Sequence, residues 1–117
     1  MFNLGIRKYQ GSHYEPKGHK YLTDFELHKT PRWVYQVGGM TIKVEHLLVE
    51  TEEQVLVKVT IDKALPGTTI RLKPFLAFRG IHELTQQNMV ANTRFESAGN
   101  GIKIKMYEGF PYLHMLS

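Results

Sequence analysis

Val55-Leu56-Val57-Lys58-Val59-Thr60-Ile61-Asp62 is the stretch on which the fold turns. Val55, Val57, Val59 and Ile61 fall on one parity and Lys58, Thr60 and Asp62 on the other, with Leu56 the single misfit. Successive side chains of a strand point to opposite faces, so this segment offers one face to a core and one to water. The same period recurs downstream. Ile70, Leu72, Leu76 and Phe78 oppose Arg71 and Lys73, and Ile102, Ile104 and Met106 oppose Lys103, Lys105 and Tyr107. One wet and one dry face per strand is the pattern of antiparallel sheets.

Further strands are placed around these. Tyr21, Phe25 and Leu27 share a parity, as do Trp33, Tyr35 and Val37. From Met40 to Glu50 the apolar parity starts with Met40, Ile42 and Val44 and then changes to Leu47 and Val49, with Leu48 breaking the count. Such a change predicts a bulge near residues 46–48. Pro74 removes a donor from the run it sits in and predicts an edge or a bulge there. Gly38-Gly39 and Gly99-Asn100-Gly101 are hairpin turns, because these residues take positive φ at little cost. Thr51-Glu52-Glu53 and Pro66-Gly67 mark other turns. Residues 81–92 break the alternation. Leu84, Gln86, Gln87 and Met89 fit either a short helical turn or an irregular loop. Residues 1–19 read as an irregular lead-in. The expected fold is all-β, an antiparallel sandwich of the supersandwich kind with about seven or eight strands, in a single domain spanning 1–117.

Composition narrows the class. At 117 residues the chain is too short for a barrel enzyme, which needs about 200 or more. Fifteen Lys and Arg against 11 Asp and Glu give a net charge of +4, a mild bias rather than a nucleic-acid-binding tail. With no cysteine there is no disulfide and no thiolate chemistry. No run approaches the roughly 18 apolar residues of a membrane span. The Met1–Ile6 terminus lacks the apolar stretch and cleavage site of a signal peptide. A soluble cytoplasmic protein is expected.

Few residues gather into a reactive pattern. Glu26, Glu45, Asp62 and Glu96 alternate on solvent faces, and Glu50, Glu52 and Glu53 crowd one turn. Neither set forms the spaced acid–base pair of glycoside hydrolysis. The six histidines are scattered and none stands at helical ligand spacing. No metal or cofactor is implied. Lys43, Lys58, Arg71, Lys73, Lys103 and Lys105 form a basic stripe of the kind small barrels use for single-stranded nucleic acid. Each also has an apolar neighbour, as on any solvated sheet face. Trp33 and Tyr35, with Tyr14 and Tyr21, offer flat rings for sugar C–H groups, or else fill a core.

Taken in order, some of these residues carry a resemblance. They are Tyr9, Pro16-Lys17-Gly18-His19-Lys20-Tyr21-Leu22, Phe25, Pro31-Arg32-Trp33-Val34-Tyr35, and Leu72-Lys73-Pro74-Phe75-Leu76-Ala77-Phe78-Arg79-Gly80-Ile81-His82. The series resembles the N-terminal domain of bacterial and archaeal glycogen debranching enzymes of the amylo-α-1,6-glucosidase family, from about Asn3 to His82 and less distinctly to Leu113. That family has Arg-Asp-x-His where this chain has Arg79-Gly80-Ile81-His82, so one carboxylate of the motif is missing.

The resemblance implies a β-sandwich module in front of a separate (α/α) barrel that cleaves α-1,6 branches. The barrel is not in this chain, which on this reading is an excerpt of the N-terminal domain. The implied role is non-catalytic support of the barrel, with a further contact to α-glucan through Arg79, His82, Trp33 and Tyr35. Arg79 has a second reading, in which it pins the 81–92 loop through backbone carbonyls. Isolated from its barrel, such a module exposes open edges and apolar surface, and homo-oligomers are expected. The alternatives are a stand-alone carbohydrate-binding module and a small basic barrel that binds single-stranded nucleic acid.

Overall fold

The computed structural model describes residues 1–84, 86 and 88–117, leaving aside the side chains of Tyr9 and Gln10. The fold is all-β, antiparallel and sandwich-like in class. The described residues form nine strands in three sheets: β1 (Ile6–Tyr9), β2 (His13–Lys17), β3 (Leu22–Leu27), β4 (Pro31–Val37), β5 (Met40–Leu48), β6 (Val55–Asp62), β7 (Phe95–Ala98), β8 (Gly101–Ile104) and β9 (Leu113–Leu116). The sheet orders are β1-β2, β3-β4-β5-β6 and β7-β8-β9. The chain divides into two compact units, Met1–Ile70 and Arg71–Ser117.

In the first unit, the Gly38-Gly39 turn sets the register of the four-stranded sheet. Both glycines take positive φ, 56° and 82°, which closes a two-residue hairpin and pairs Val37 with Met40. From that pair onward the partners are fixed. Trp33 meets Val44, Tyr35 meets Ile42, and β6 follows with Ile42 on Ile61 and Val44 on Val59. Pairing collects the apolar parities of all four strands on one face. The other face carries ion pairs. Arg32 donates to Glu26 and to Glu45, each at 3.0 Å, and Lys43 meets Asp62 at 2.6 Å.

Burial on the apolar face is graded. Val37 and Met40, beside the Gly38-Gly39 turn, are the buried core. Phe2 closes on that turn and packs edge-on against Tyr21 at 5.8 Å. From the other side Thr68, held in a turn by its bond to the Leu65 carbonyl, reaches the Met40 sulfur. Among the described residues of the first unit nothing comparable lies over the opposite end, and exposure on β3, β5 and β6 is greater toward that end.

Three expectations need correction. The β5–β6 ladder runs from Thr41↔Asp62 to Leu48↔Val55 without a slip, so there is no bulge at 46–48. The misfit leucines are a cross-strand pair instead, Leu47 opposite Leu56 on the otherwise polar face. The register shifts that do occur lie in β3–β4, between Leu22 and Asp24, and in β1–β2. Residues 70–78 form no strand. Alternation there marks an amphipathic segment, but a strand needs a hydrogen-bonding partner and Pro74 lacks the donor. Leu72 and Phe75 stay exposed, while Phe78 meets Phe110 at 6.1 Å. Residues 1–19 are not irregular throughout, since β1 and β2 pair with each other within them. Among its described residues, 81–92 is irregular rather than helical, and Gln87 lies outside the described residues.

In the second unit, Gly99-Asn100 forms the turn between β7 and β8, pairing Ala98 with Gly101. Gly101 lies against β9 so closely that an added Cβ would sit 2.0 Å from the Met115 carbonyl oxygen. Backbone cannot yield there as a flexible side chain can. Gly101→Ala is expected to lower stability by about 1–3 kcal/mol through overpacking, read as a shifted urea midpoint. An unchanged midpoint would show that β8 and β9 are not so closely joined.

Candidate functional site

The sheet brings two of the four expected site residues together. Trp33 and Tyr35 are two apart on β4 and share the apolar face. Trp33 stands in a row of rings crossing three strands. Phe25 on β3 lies 5.3 Å from it at 55°, and His46 on β5 lies 5.0 Å away at 54°. Phe25 is its direct partner in the β3–β4 ladder, whereas His46 is a diagonal neighbour. Tyr35 lies toward the covered end, opposite Leu22 on β3.

Around this row lies the uncovered end of the sheet. Phe25 is 50% exposed, Leu27 71%, Leu48 72%, Val55 62% and Val57 55%. Leu47 and Leu56 extend apolar surface onto the other face of the same end. The turn that follows β5 carries Glu50, Glu52 and Glu53, so the apolar end has an acidic rim. Sequence parity found Trp33 and Tyr35 but missed Phe25 and His46, whose place beside Trp33 depends on strand register.

Arg79 and His82 belong to the second unit. The Nη1 of Arg79 donates to the carbonyls of Gly80, Ile81 and Glu83, and the Glu83 carboxylate accepts from the Gly80 N–H. Arg79 thus closes the loop that follows it, as its second reading held. A carboxylate does reach this motif, supplied by Glu83 rather than by residue 80. His82 lies exposed on the same turn.

The carboxylates show the same economy. Glu26 and Glu45 clasp Arg32, Asp62 meets Lys43, Glu96 meets Lys103 and Glu108 meets Lys105. The bond and charge of Glu45, then of Glu26, hold the Arg32 guanidinium above its ordinary value. Among the described residues no three His, Asp or Glu side chains gather as a metal site. No helix among the described residues is long and apolar enough to cross a membrane.

Fold and site together define an antiparallel β-module with one exposed apolar end. The family model described as "Glycogen debranching enzyme N terminal" matches residues 1–117, and the chain belongs to that family. No curated protein and no solved structure matches the chain.

Burial on the sheet raises the Tyr35 phenol above its usual range by penalising the phenolate. The unfolded chain loses this proton near pH 10. The associated stability is therefore full below about pH 10 and is lost as pH rises through the higher folded value. In an alkaline titration followed at the phenolate absorbance band, a late step is expected that Tyr35→Phe removes. Six tyrosines titrating as one class would contradict it.

Proposed function

We propose that the chain is a non-catalytic module of a glycogen debranching enzyme, one that supports a catalytic (α/α) barrel and adds a contact to α-glucan. The observation that carries this reading is the uncovered apolar end of β3–β6. Five large side chains there are half or more exposed, and contiguous exposed apolar surface of this kind marks interaction sites. Trp33 at its middle is the residue type on which binding energy concentrates. The barrel covers this end, and the acidic rim of Glu50, Glu52 and Glu53 favours basic groups around the contact. Family membership supports the assignment of partner and of a cytoplasmic setting.

Hydrolysis lies elsewhere on this reading. Glu26, Glu45, Asp62 and Glu96 on the strands are held in ion pairs with Arg32, Lys43 and Lys103, an arrangement unlike the spaced acid and base of glycoside hydrolysis. The purified chain is expected to release no glucose from a branched maltooligosaccharide. Measurable turnover would overturn the assignment.

A second reading, a carbohydrate-binding module that acts without a barrel, is favoured by the Phe25–Trp33–His46 row. The nucleic-acid alternative draws less support. Lys43, Lys103 and Lys105 of the basic stripe are each paired with a carboxylate, and Arg71 and Lys73 lie on no strand.

While the apolar end is uncovered, the nearest apolar surface in solution is that of a second copy. Sedimentation velocity is expected to show concentration-dependent self-association that Val57→Lys and Leu48→Lys suppress. Adding the separately produced barrel of a family member should compete with it, with affinity falling about tenfold (about 1.4 kcal/mol) in either variant. A monomer at all concentrations that ignores the barrel would remove the support role.

A further inference from the structure

The second unit contains a cavity that none of the four expected site residues lines. Its volume is about 590 Å³, and its lining includes Arg94, Glu96, Lys103, Lys105, Glu108 and Tyr112. Small-molecule sites occupy the range of roughly 300–1,000 Å³, so there is room for a short chain of rings rather than one.

Its walls are built locally. Glu96 on β7 is the direct cross-strand partner of Lys103 on β8, and their charged groups meet at 3.1 Å. Lys105 and Glu108, three residues apart, also meet at 3.1 Å. Both ammonium groups lie over the Tyr112 ring, at 4.8 Å and 5.3 Å from its centroid. The segment that supplies Arg94 is fixed by side-chain amides. Asn88 accepts from the N–H groups of Val90 and Ala91 and donates to the Tyr107 hydroxyl, and Asn92 accepts from the Arg94 N–H. The Asn92 N–H donates to the Met106 carbonyl at 2.8 Å, tying the segment to the chain just past β8.

The chemistry of this lining selects among ligands. Three cations and two carboxylates leave one net positive charge among the six residues named, and both lysines already have carboxylate partners. A polyanion gains little there. A wholly apolar ligand would strip water from several charges without replacing their bonds. A neutral polyol fits both demands. Each of its hydroxyls donates and accepts, and each lysine–glutamate pair sets a donor and an acceptor side by side. Their 3.1 Å separation is near that of adjacent hydroxyl oxygens on a sugar ring. Phe95, Ile104 and Met106 share the lining with Tyr112, which is 45% exposed, and together they offer apolar surface for sugar C–H groups.

We propose that this cavity binds a short neutral oligosaccharide of the α-glucan class, with a sugar ring against the apolar lining beside Tyr112 and neighbouring hydroxyls shared by the Lys103–Glu96 and Lys105–Glu108 pairs. The proposal rests on the glucan contact inferred above and places a site for it within the second unit.

The test uses the fact that Trp33 is the only tryptophan and lies in the first unit. Maltotriose is titrated at millimolar concentration while amide shifts and tryptophan emission are both followed. The expected result is saturable shifts around Lys103, Lys105 and Tyr112 with little change in emission. Tyr112→Ala is expected to weaken binding about fivefold or more. Glu96→Gln, which keeps the shape of the wall, is expected to weaken it to a smaller extent if Tyr112→Ala fails to fold. Emission changes without shifts in the second unit would overturn the proposal but keep a glucan contact at the sheet. Silence in both signals would remove the glucan contact altogether. Saturable shifts with inorganic phosphate in place of the sugar would make the cavity an anion site and overturn the proposal.

Discussion

A sheet with one apolar face needs that face covered, and in β3–β6 local chain covers one end only. The constraint follows from pairing. Once Gly38-Gly39 sets Val37 against Met40, each further strand must place its apolar parity on the same side. Phe2, Tyr21 and the Leu65–Thr68 turn gather over the hairpin end and bury Val37 and Met40. No such cover reaches Leu27, Leu48, Val55 and Val57, which stay more than half exposed. Coverage and exposure therefore lie at opposite ends of the same strands. The turn end fixes register, and the far end carries a surface whose shape that register determines.

Period and turn chemistry made much of this legible. Val55–Asp62 alternates because it is half-covered along one face, and two-residue glycine turns have few other uses. Partnership was harder to see. Residues 70–78 have as regular an alternation as β6 yet form no strand, because parity reports which side is apolar and not whether a partner presents its hydrogen-bonding groups. The anomaly at 46–48 shows the reverse case. Leu47 and Leu56 break the pattern of their own strands but complete each other across the ladder, and a pair can be recognised only once register is known.

The candidate site divides along the same line. Trp33 and Tyr35 were legible because both lie on one strand at even spacing. Phe25 and His46 were not, since their nearness to Trp33 is a property of three strands. Arg79 was singled out as a polar residue after an apolar run. Its actual contacts are carbonyls one to four residues away, so its closeness to the loop was legible and its partners were not. The Tyr112 cavity left no motif at all. Glu96 and Lys103 meet because a two-residue turn places them opposite each other, and Tyr112 joins them from beyond the strand.

The ion pairs explain why a basic chain of this kind need not be a polyanion binder. Attraction to phosphate depends on cations whose charge is free to displace counterions. Lys43, Lys103 and Lys105 face Asp62, Glu96 and Glu108, so their positive charge is largely cancelled before any ligand arrives. Exposed pairs of this type add little stability because solvent screens them, so their presence is poorly accounted for by folding alone. What they do provide is local neutrality with many hydrogen-bonding groups held in place. On the proposed reading, a surface of that character suits hydroxyl-rich ligands better than charged ones.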